Sequence, residues 1–389
     1  MGGLFTKDIV VLDVTSRLIS AIVGVKKAQS VFGIKSVAEK EHPGYENGQW
    51  FDLDDTVNTV KATLSEAMRA ADSGSKRLFI GVPAEFCSAV SKDVSINLDR
   101  RRRVVDDDVD FLLEKGNDFD KNEYVCANTS AVYFAINGEE KLYTDVRGMY
   151  AESVEACVSY MLAEKRFVDI FDKVAADLGF KDVKYIVSNW AECVSLLDSE
   201  QRESLYALID VGYLSSSVTL AKGEGVLDMR SFSLGGGHIC ADIFNALDVP
   251  FELAQEAKRL IDINLNYAED AILIGNGEKS VYAIDASDIV KARLDIFADI
   301  ISGIFKNFSE DMPPYLPVYL TGEGIASMRG AKKYLSEQLG KNIEILTPKL
   351  PGFVKPEDSS KTALLMVAET LSKSSFGDVI KSIFSGGKK

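Results

Sequence analysis

A chain that twice runs an apolar strand into an aspartate, turns through hydroxyl residues and returns as a second strand is committed to two sheets built on one plan. One copy spans residues 205–220, where Leu205-Tyr206-Ala207-Leu208-Ile209 leads into Asp210-Val211-Gly212 and Tyr213-Leu214-Ser215-Ser216-Ser217 leads back out. The other lies near the N-terminus, where Asp8-Ile9-Val10-Val11-Leu12 reaches Asp13-Val14-Thr15-Ser16 and residues 18–25 return. Each reads as a hairpin of buried strands. Behind the later copy come a Gly223-Glu224-Gly225 turn, a third strand to Leu234, and Gly235-Gly236-Gly237-His238 at the mouth of a helix over 239–247. A glycine run at a helix start offers backbone N–H groups to an anion, and an acid ending a buried strand can hold the magnesium of a nucleotide.

The 389 residues, 46% of them hydrophobic, exceed what one core can use and suffice for two large domains with insertions. Against 44 Lys and Arg stand 59 Asp and Glu, a net charge of −15, which argues against nucleic-acid binding. The run Arg100–Arg103 is followed by Asp106, Asp107 and Asp108 and reads as a self-neutralised surface loop. Five scattered cysteines (Cys87, Cys126, Cys157, Cys193, Cys240) and two histidines (His42, His238) give neither a zinc spacing nor a disulfide framework. With no signal peptide and no transmembrane run, a cytosolic protein is expected. Met1-Gly2-Gly3-Leu4-Phe5-Thr6 fits the myristoylation pattern, a plain end before the first strand being the other reading.

Along the chain, a third strand is expected over 30–41. A helix follows from about Asp54, with Asp54 or Asp55 as N-cap and Val57, Val60, Leu64, Ala67 and Ala71 on one face, and then a buried strand over 78–83. From 84 to 163 the grammar changes to a small α+β module, strand-like over 124–136 and again over 142–150. A helix begins near Phe167, a strand covers 183–187, and Glu192 in the helix behind it reads as a surface charge. A second insert over 249–315 carries two short strands around Gly275-Asn276-Gly277 and a long helix capped by Asp288, with Ile289, Ile296, Ile300, Ile304 and Phe308 as its stripe. A late strand enters Thr321-Gly322-Glu323-Gly324, and a last helix covers 362–371. Phe376, Val379, Ile380, Ile383 and Phe384 then recur at i, i+3, i+4, i+7 and i+8 beside Lys381, Lys388 and Lys389, a face that needs a surface to bury it.

Two Asp-bearing hairpins, a late Thr-Gly turn and a module at this place in the chain together resemble the actin-like ATPase superfamily, and within it the FtsA cell-division family. The resemblance implies an α/β fold of two ribonuclease-H-like domains. Its boundaries would be 1–83 and 164–204 for the first domain around an insert at 84–163. The second would take 205–248 and 316–358 around an insert at 249–315, followed by 359–372 (helix and linker) and 373–389 (tail). It implies ATP and Mg, with phosphate and metal at Asp13, Thr15, Ser16, Asp210, Gly212, Ser215, Ser216, Gly235, Gly236 and Gly237. Base and ribose would lie at Glu256, Lys258, Arg259, Thr321, Gly322 and Gly324, and Asp13 and Asp210 would hold Mg through water; for 250–259, an ordinary amphipathic surface helix is the other reading.

The motifs also depart from the family. Thr15 stands where Asp-x-Gly is usual, Tyr213 and Leu214 stand in a glycine run, and Glu323 replaces a glycine, adding bulk and negative charge where backbone would approach a polyanion. No catalytic residue is identified, and at most a weak ATPase is expected. The implied partners are the FtsZ C-terminal peptide at the second insert, further copies of the chain, and other division proteins at the first insert. Anionic lipid on the cytoplasmic face of the inner membrane would meet Phe376, Val379, Ile380, Lys381, Ile383 and Phe384, a helix docked on protein being the other reading of this tail. An active actin-like ATPase and a PilM-like peptide-binding platform are the alternatives.

Overall fold

The computed structural model describes residues 8–26, 32–275, 277–308, 313 and 315–373. The chain opens with β1 (Asp8–Val14), β2 (Leu18–Lys26) and β3 (Phe32–Glu41), an antiparallel meander. The short hairpin of β4 (Tyr45–Glu46) and β5 (Gln49–Trp50) leads to α1 (Leu53–Ala70) and β6 (Arg77–Val82), which pairs parallel with β1. Val10, Val11 and Leu12 are fully buried. β1 therefore shows no polar alternation, as expected of a strand covered on both faces by helices. The cap of α1 is Asp52, whose carboxylate accepts from the Asp55 N–H at 3.0 Å, so Asp54 and Asp55 sit in the first turn rather than capping it.

The first insert interrupts this half between β6 and the strand beside it. β7 (Cys87–Arg103), α2 (Asp106–Glu114), β8 (Tyr124–Ile136) and β9 (Tyr150–Glu164) form a three-stranded antiparallel sheet, with β9 central and α2 packed over its own core. Two expectations are corrected here. The arginine run is no loop but the end of β7, where Arg102 forks onto Asp108 at 2.6 and 2.7 Å. The strand expected at 142–150 begins only at Tyr150, and residues 142–149 contribute one bridge, Tyr143 to Phe134. Then α3 (Lys165–Asp177), β10 (Asp182–Val187) and α4 (Ser188–Leu196) complete the first half, giving the sheet order β10-β6-β1-β2-β3.

After a single turn, α5 (Ser199–Arg202), the second half repeats the plan. β11 (Tyr206–Val211), β12 (Ser216–Lys222) and β13 (Gly225–Phe232) are a meander, followed by α6 (Gly236–Leu247) and α7 (Phe251–Leu260). A small hairpin of β14 (Ile272–Gly275) and β15 (Ser280–Tyr282) runs straight into α8 (Ala283–Asn307). Asp288 therefore lies inside α8 and caps nothing. The face it buries is Ala286, Val290, Leu294, Phe297 and Ile301, one residue off the expected stripe, and Ile296 is exposed. β16 (Val318–Thr321), α9 (Ala331–Leu339) and β17 (Ile343–Ile345) close the sheet β13-β12-β11-β16-β17.

The last helix, α10 (Ser359–Lys373), returns to the first half. It packs on β1 and α4 and sets Leu364 and Leu365 into that core. Among the described residues no helix is long and apolar enough to cross a membrane. The segments 1–7 and 374–389, with the myristoylation pattern and the amphipathic tail, lie outside the described residues.

Candidate functional site

The two hairpins face each other across a cleft, with the two aspartates in the same place in each. Asp13 sits opposite Ser20 in the β1–β2 register, and Asp210 sits opposite Ser217 in the β11–β12 register. A cavity of about 460 Å³ lies between them, lined by Asp13, Thr15, Ser16, Asp210, Gly212, Ser215, Ser216 and Gly322 among the residues expected from sequence. Glu39, Ser188, Asn189, Glu192, Ser217, Glu323, Asp358, Ser360 and Lys361 line it as well. Gly235, Gly236, Gly237, Glu256, Lys258, Arg259, Thr321 and Gly324 are not part of that lining.

The cavity is dominated by buried acids. Burial pushes Asp13 up to about 6, against a hydrogen bond from Ser360 Oγ at 2.8 Å and the nearby Lys361 charge, which favour its ionised form. Burial, and then the Asp13 and Glu323 charges, push Asp210 up to about 7, against a hydrogen bond from Asn189. Glu192 was expected on a helix surface and is instead 1% exposed, with neither carboxylate oxygen hydrogen-bonded among the described residues. Burial and then the Asp210 and Asp13 charges raise it well above the usual carboxylate range. Its helix explains the correction: seven of the nine residues of α4 are buried, so α4 has no wet face on which to carry a charge. Asn189, one turn earlier, donates to Ser217 Oγ at 2.8 Å and bridges the two halves; sequence reasoning passed it over.

Two cations near the cleft, Lys361 and Arg17, are already engaged by acids. Lys361 is gripped by Glu39 and Asp358, each at 2.8 Å. Arg17 reaches from the first hairpin to Glu323 at 3.2 Å, with its guanidinium 5.0 Å from the centre of the Tyr213 ring. Lys258 is buried beside Cys240 and Glu323, and burial lowers it. Glu256 and Arg259 pair with each other at 2.7 Å on the exposed side of α7. Thr321 is fully buried and bonds Ser359 Oγ at 2.6 Å and the Leu346 carbonyl at 3.2 Å.

The glycine run packs against protein rather than opening onto the cavity. The Gly236 and Gly237 N–H groups donate to the carbonyls of Gly212 and Tyr213 at 2.9 and 2.7 Å, and the Gly235 N–H donates to His238 Nδ1 at 3.1 Å. The Gly324 N–H donates to the Val211 carbonyl at 2.7 Å, and a Cβ on Gly236 would collide with Gly324. These glycines allow α6, the second hairpin and the β16 turn to touch backbone to backbone. The turn donors are used likewise: Leu214 N–H to Ser16 Oγ at 3.0 Å, Gly212 N–H to the Ser215 carbonyl, and Thr15 N–H to the Leu18 carbonyl.

A magnesium triphosphate needs converging N–H donors and cations around its phosphates. Here the N–H groups of the glycine run are spent on protein and the wall is acidic; among the described residues no group of three His, Cys, Asp or Glu side chains is placed to hold a metal ion. The residues present do not fit that ligand.

The family model described as "Cell division protein FtsA" matches residues 207–365. The FtsA of Bacillus subtilis (strain 168) is 21% identical over 368 residues, covering 92% of this chain and 82% of that protein. The FtsA of Pseudomonas aeruginosa is 21% identical over 346 residues, covering 85% and 81%. Among solved structures, the PilM–PilN type IV pilus biogenesis complex superposes with a TM-score of 0.61 at 14% identity, over 92% of this chain and 98% of that one. MreB 5 of Spiroplasma citri, bound to AMPPNP in that structure, superposes with a TM-score of 0.56 at 10% identity, over 95% and 98%. Both structures have the actin-like fold described above.

Proposed function

We propose, for a chain that is FtsA-like along most of its length and actin-like in fold, a role in bacterial cell division as an adaptor. In this reading it assembles with copies of itself on the cytoplasmic face of the inner membrane and tethers FtsZ filaments there. The observation that carries it is the similarity to FtsA proteins over 92% of the chain, together with a separate module placed between β6 and α3. Binding and assembly are the work assigned to it, and no catalytic step is.

Three surfaces divide that work. The amphipathic stretch Phe376, Val379, Ile380, Lys381, Ile383 and Phe384 supplies the lipid contact, its phenylalanines entering the acyl boundary and its lysine facing anionic headgroups. The module of β7, β8, β9 and α2 serves contacts with copies of the chain and with other division proteins. The second insert, around α7, β14, β15 and α8, receives the FtsZ C-terminal peptide. A body of charge −15 and a tail with few lysines make single-molecule membrane binding weak, and assembly strengthens it by multivalency.

Co-sedimentation with anionic vesicles tests this, using the full chain and a version ending at Ser372. Pelleting that is lost with the tail supports the tether. If both versions stay in the supernatant, with and without FtsZ, the adaptor reading fails.

A further inference from the structure

We infer that the cleft of this chain is held shut by its own side chains in place of a nucleotide. The inference rests on the fold and goes beyond the division reading. In a two-domain fold whose hairpins meet over a ligand, the phosphates join the halves; here the hairpins join each other. Ser16 of the first hairpin accepts the Leu214 N–H of the second at 3.0 Å. Beside it, Arg17 crosses to Glu323 at 3.2 Å and lies over the Tyr213 ring, adding an ion pair and a cation–π contact across the gap.

Two of the residues in this bridge, Glu323 and Tyr213, are among those that depart from the nucleotide motifs. Glu323 stands in a glycine position of the late turn, and it is the acceptor for Arg17. Tyr213 stands in the second hairpin, and it supplies both the ring beneath Arg17 and the carbonyl that takes the Gly237 N–H. Two substitutions that each obstruct a polyanion thus cooperate around one guanidinium. Further bonds between the halves act in the same sense. Ser159 of the first insert donates to the Val226 carbonyl at 2.6 Å, and the Trp190 indole N–H donates to the Glu224 carbonyl at 2.9 Å. Closure, and any assembly that depends on it, then needs no bound nucleotide.

The test is titration of the full chain with ATP plus Mg and with ADP plus Mg by isothermal calorimetry, paired with thermal melts. A ligand that binds only the folded state raises Tm. The expected result is no saturable heat and a Tm unchanged at millimolar nucleotide; saturable binding or a rise of several degrees overturns the inference. A double-mutant cycle of Arg17→Ala and Glu323→Ala checks the bridge itself. The single Arg17→Ala change should lower Tm, and the pair should cost less than the sum of the singles. Additive effects, or an Arg17→Ala melt equal to wild type, would also overturn it. Vesicle pelleting does not enter either test, so the adaptor reading stands or falls separately.

Discussion

The two hairpins are the same device placed in different surroundings. Each ends a buried strand in an aspartate with a serine opposite it, and each turns a sheet of the same strand order toward the cleft. The first aspartate, Asp13, is served by α10: Ser360 donates to it, and Lys361 stands near it between Glu39 and Asp358. The second, Asp210, has Asn189 in support but faces the charges of Asp13 and Glu323. Register fixes where an acid stands, while the helix laid over it decides whether its charge is tolerated.

The comparison is broken most severely at a glycine that only the second hairpin relies on. Gly322 has φ +93° and no room for a Cβ, which would collide with Asp210 Oδ1 and the Val211 carbonyl. Gly322→Ala should cost more than about 3 kcal/mol, through strain and overpacking together, read as a fall in the urea midpoint. A change in the first hairpin, Thr15→Gly, should cost only about 1 kcal/mol for its lost turn bonds to Leu18.

Next in size is the pair of neutralising substitutions at pH 8. Both acids are raised, so both favour folding while protonated. Their contribution is full below the ordinary value of 3.8 and is lost as pH rises through about 6 for Asp13 and about 7 for Asp210. Asp210→Asn should therefore stabilise the protein at pH 8 more than Asp13→Asn does, read as the larger rise in the urea midpoint. Equal gains would show that the two sites feel the same field.

Glu192 sharpens the same point without a numerical value. It lacks a hydrogen-bond partner among the described residues, so Glu192→Gln should raise Tm at pH 8 and flatten the decline of stability between pH 5 and 8. A pH profile parallel to wild type would refute the placement of its charge in the cleft. The smallest expected effect is that of Ser360→Ala, about 1 kcal/mol for one hydrogen bond to a buried carboxyl. NMR titration of Asp13 should show its pKa move further up, with Asp210 following only slightly.

Much of this fold was legible in the sequence because its strands are buried on both faces. Runs such as Leu205–Ile209 and Val10–Leu12 carry no alternation, and a buried parallel layer leaves that signature. Strand β8 was legible to the residue. Helix phase was less so: α8 packs on both α6 and α9, so its buried face is set by two neighbours and lies one position from the isoleucine stripe. The site was legible in its acids and illegible in its donors. Asp13, Asp210 and the serines lie where the pattern puts them, but no sequence rule reveals that the Gly236 and Gly237 N–H groups are taken by Gly212 and Tyr213. Glu192 did leave a trace that went unread, a single acid among Trp190, Ala191, Cys193 and Leu196, in a helix too apolar to own a solvent side.

The way α10 is seated has a mechanical consequence. Its body is anchored in the first half through Leu364, Leu365 and Ala368, and its opening residue, Ser359, bonds the second half at Thr321. Tension applied at Lys373 would run back along α10 into β1 and α4, loading one sheet in line with its strands and helices. The second half would hang from that loaded frame by its bridges, Arg17 to Glu323 and Ser159 to Val226 among them. Opposed pulls on α10 and on the second half would thus meet at those contacts, which would part before either sheet does.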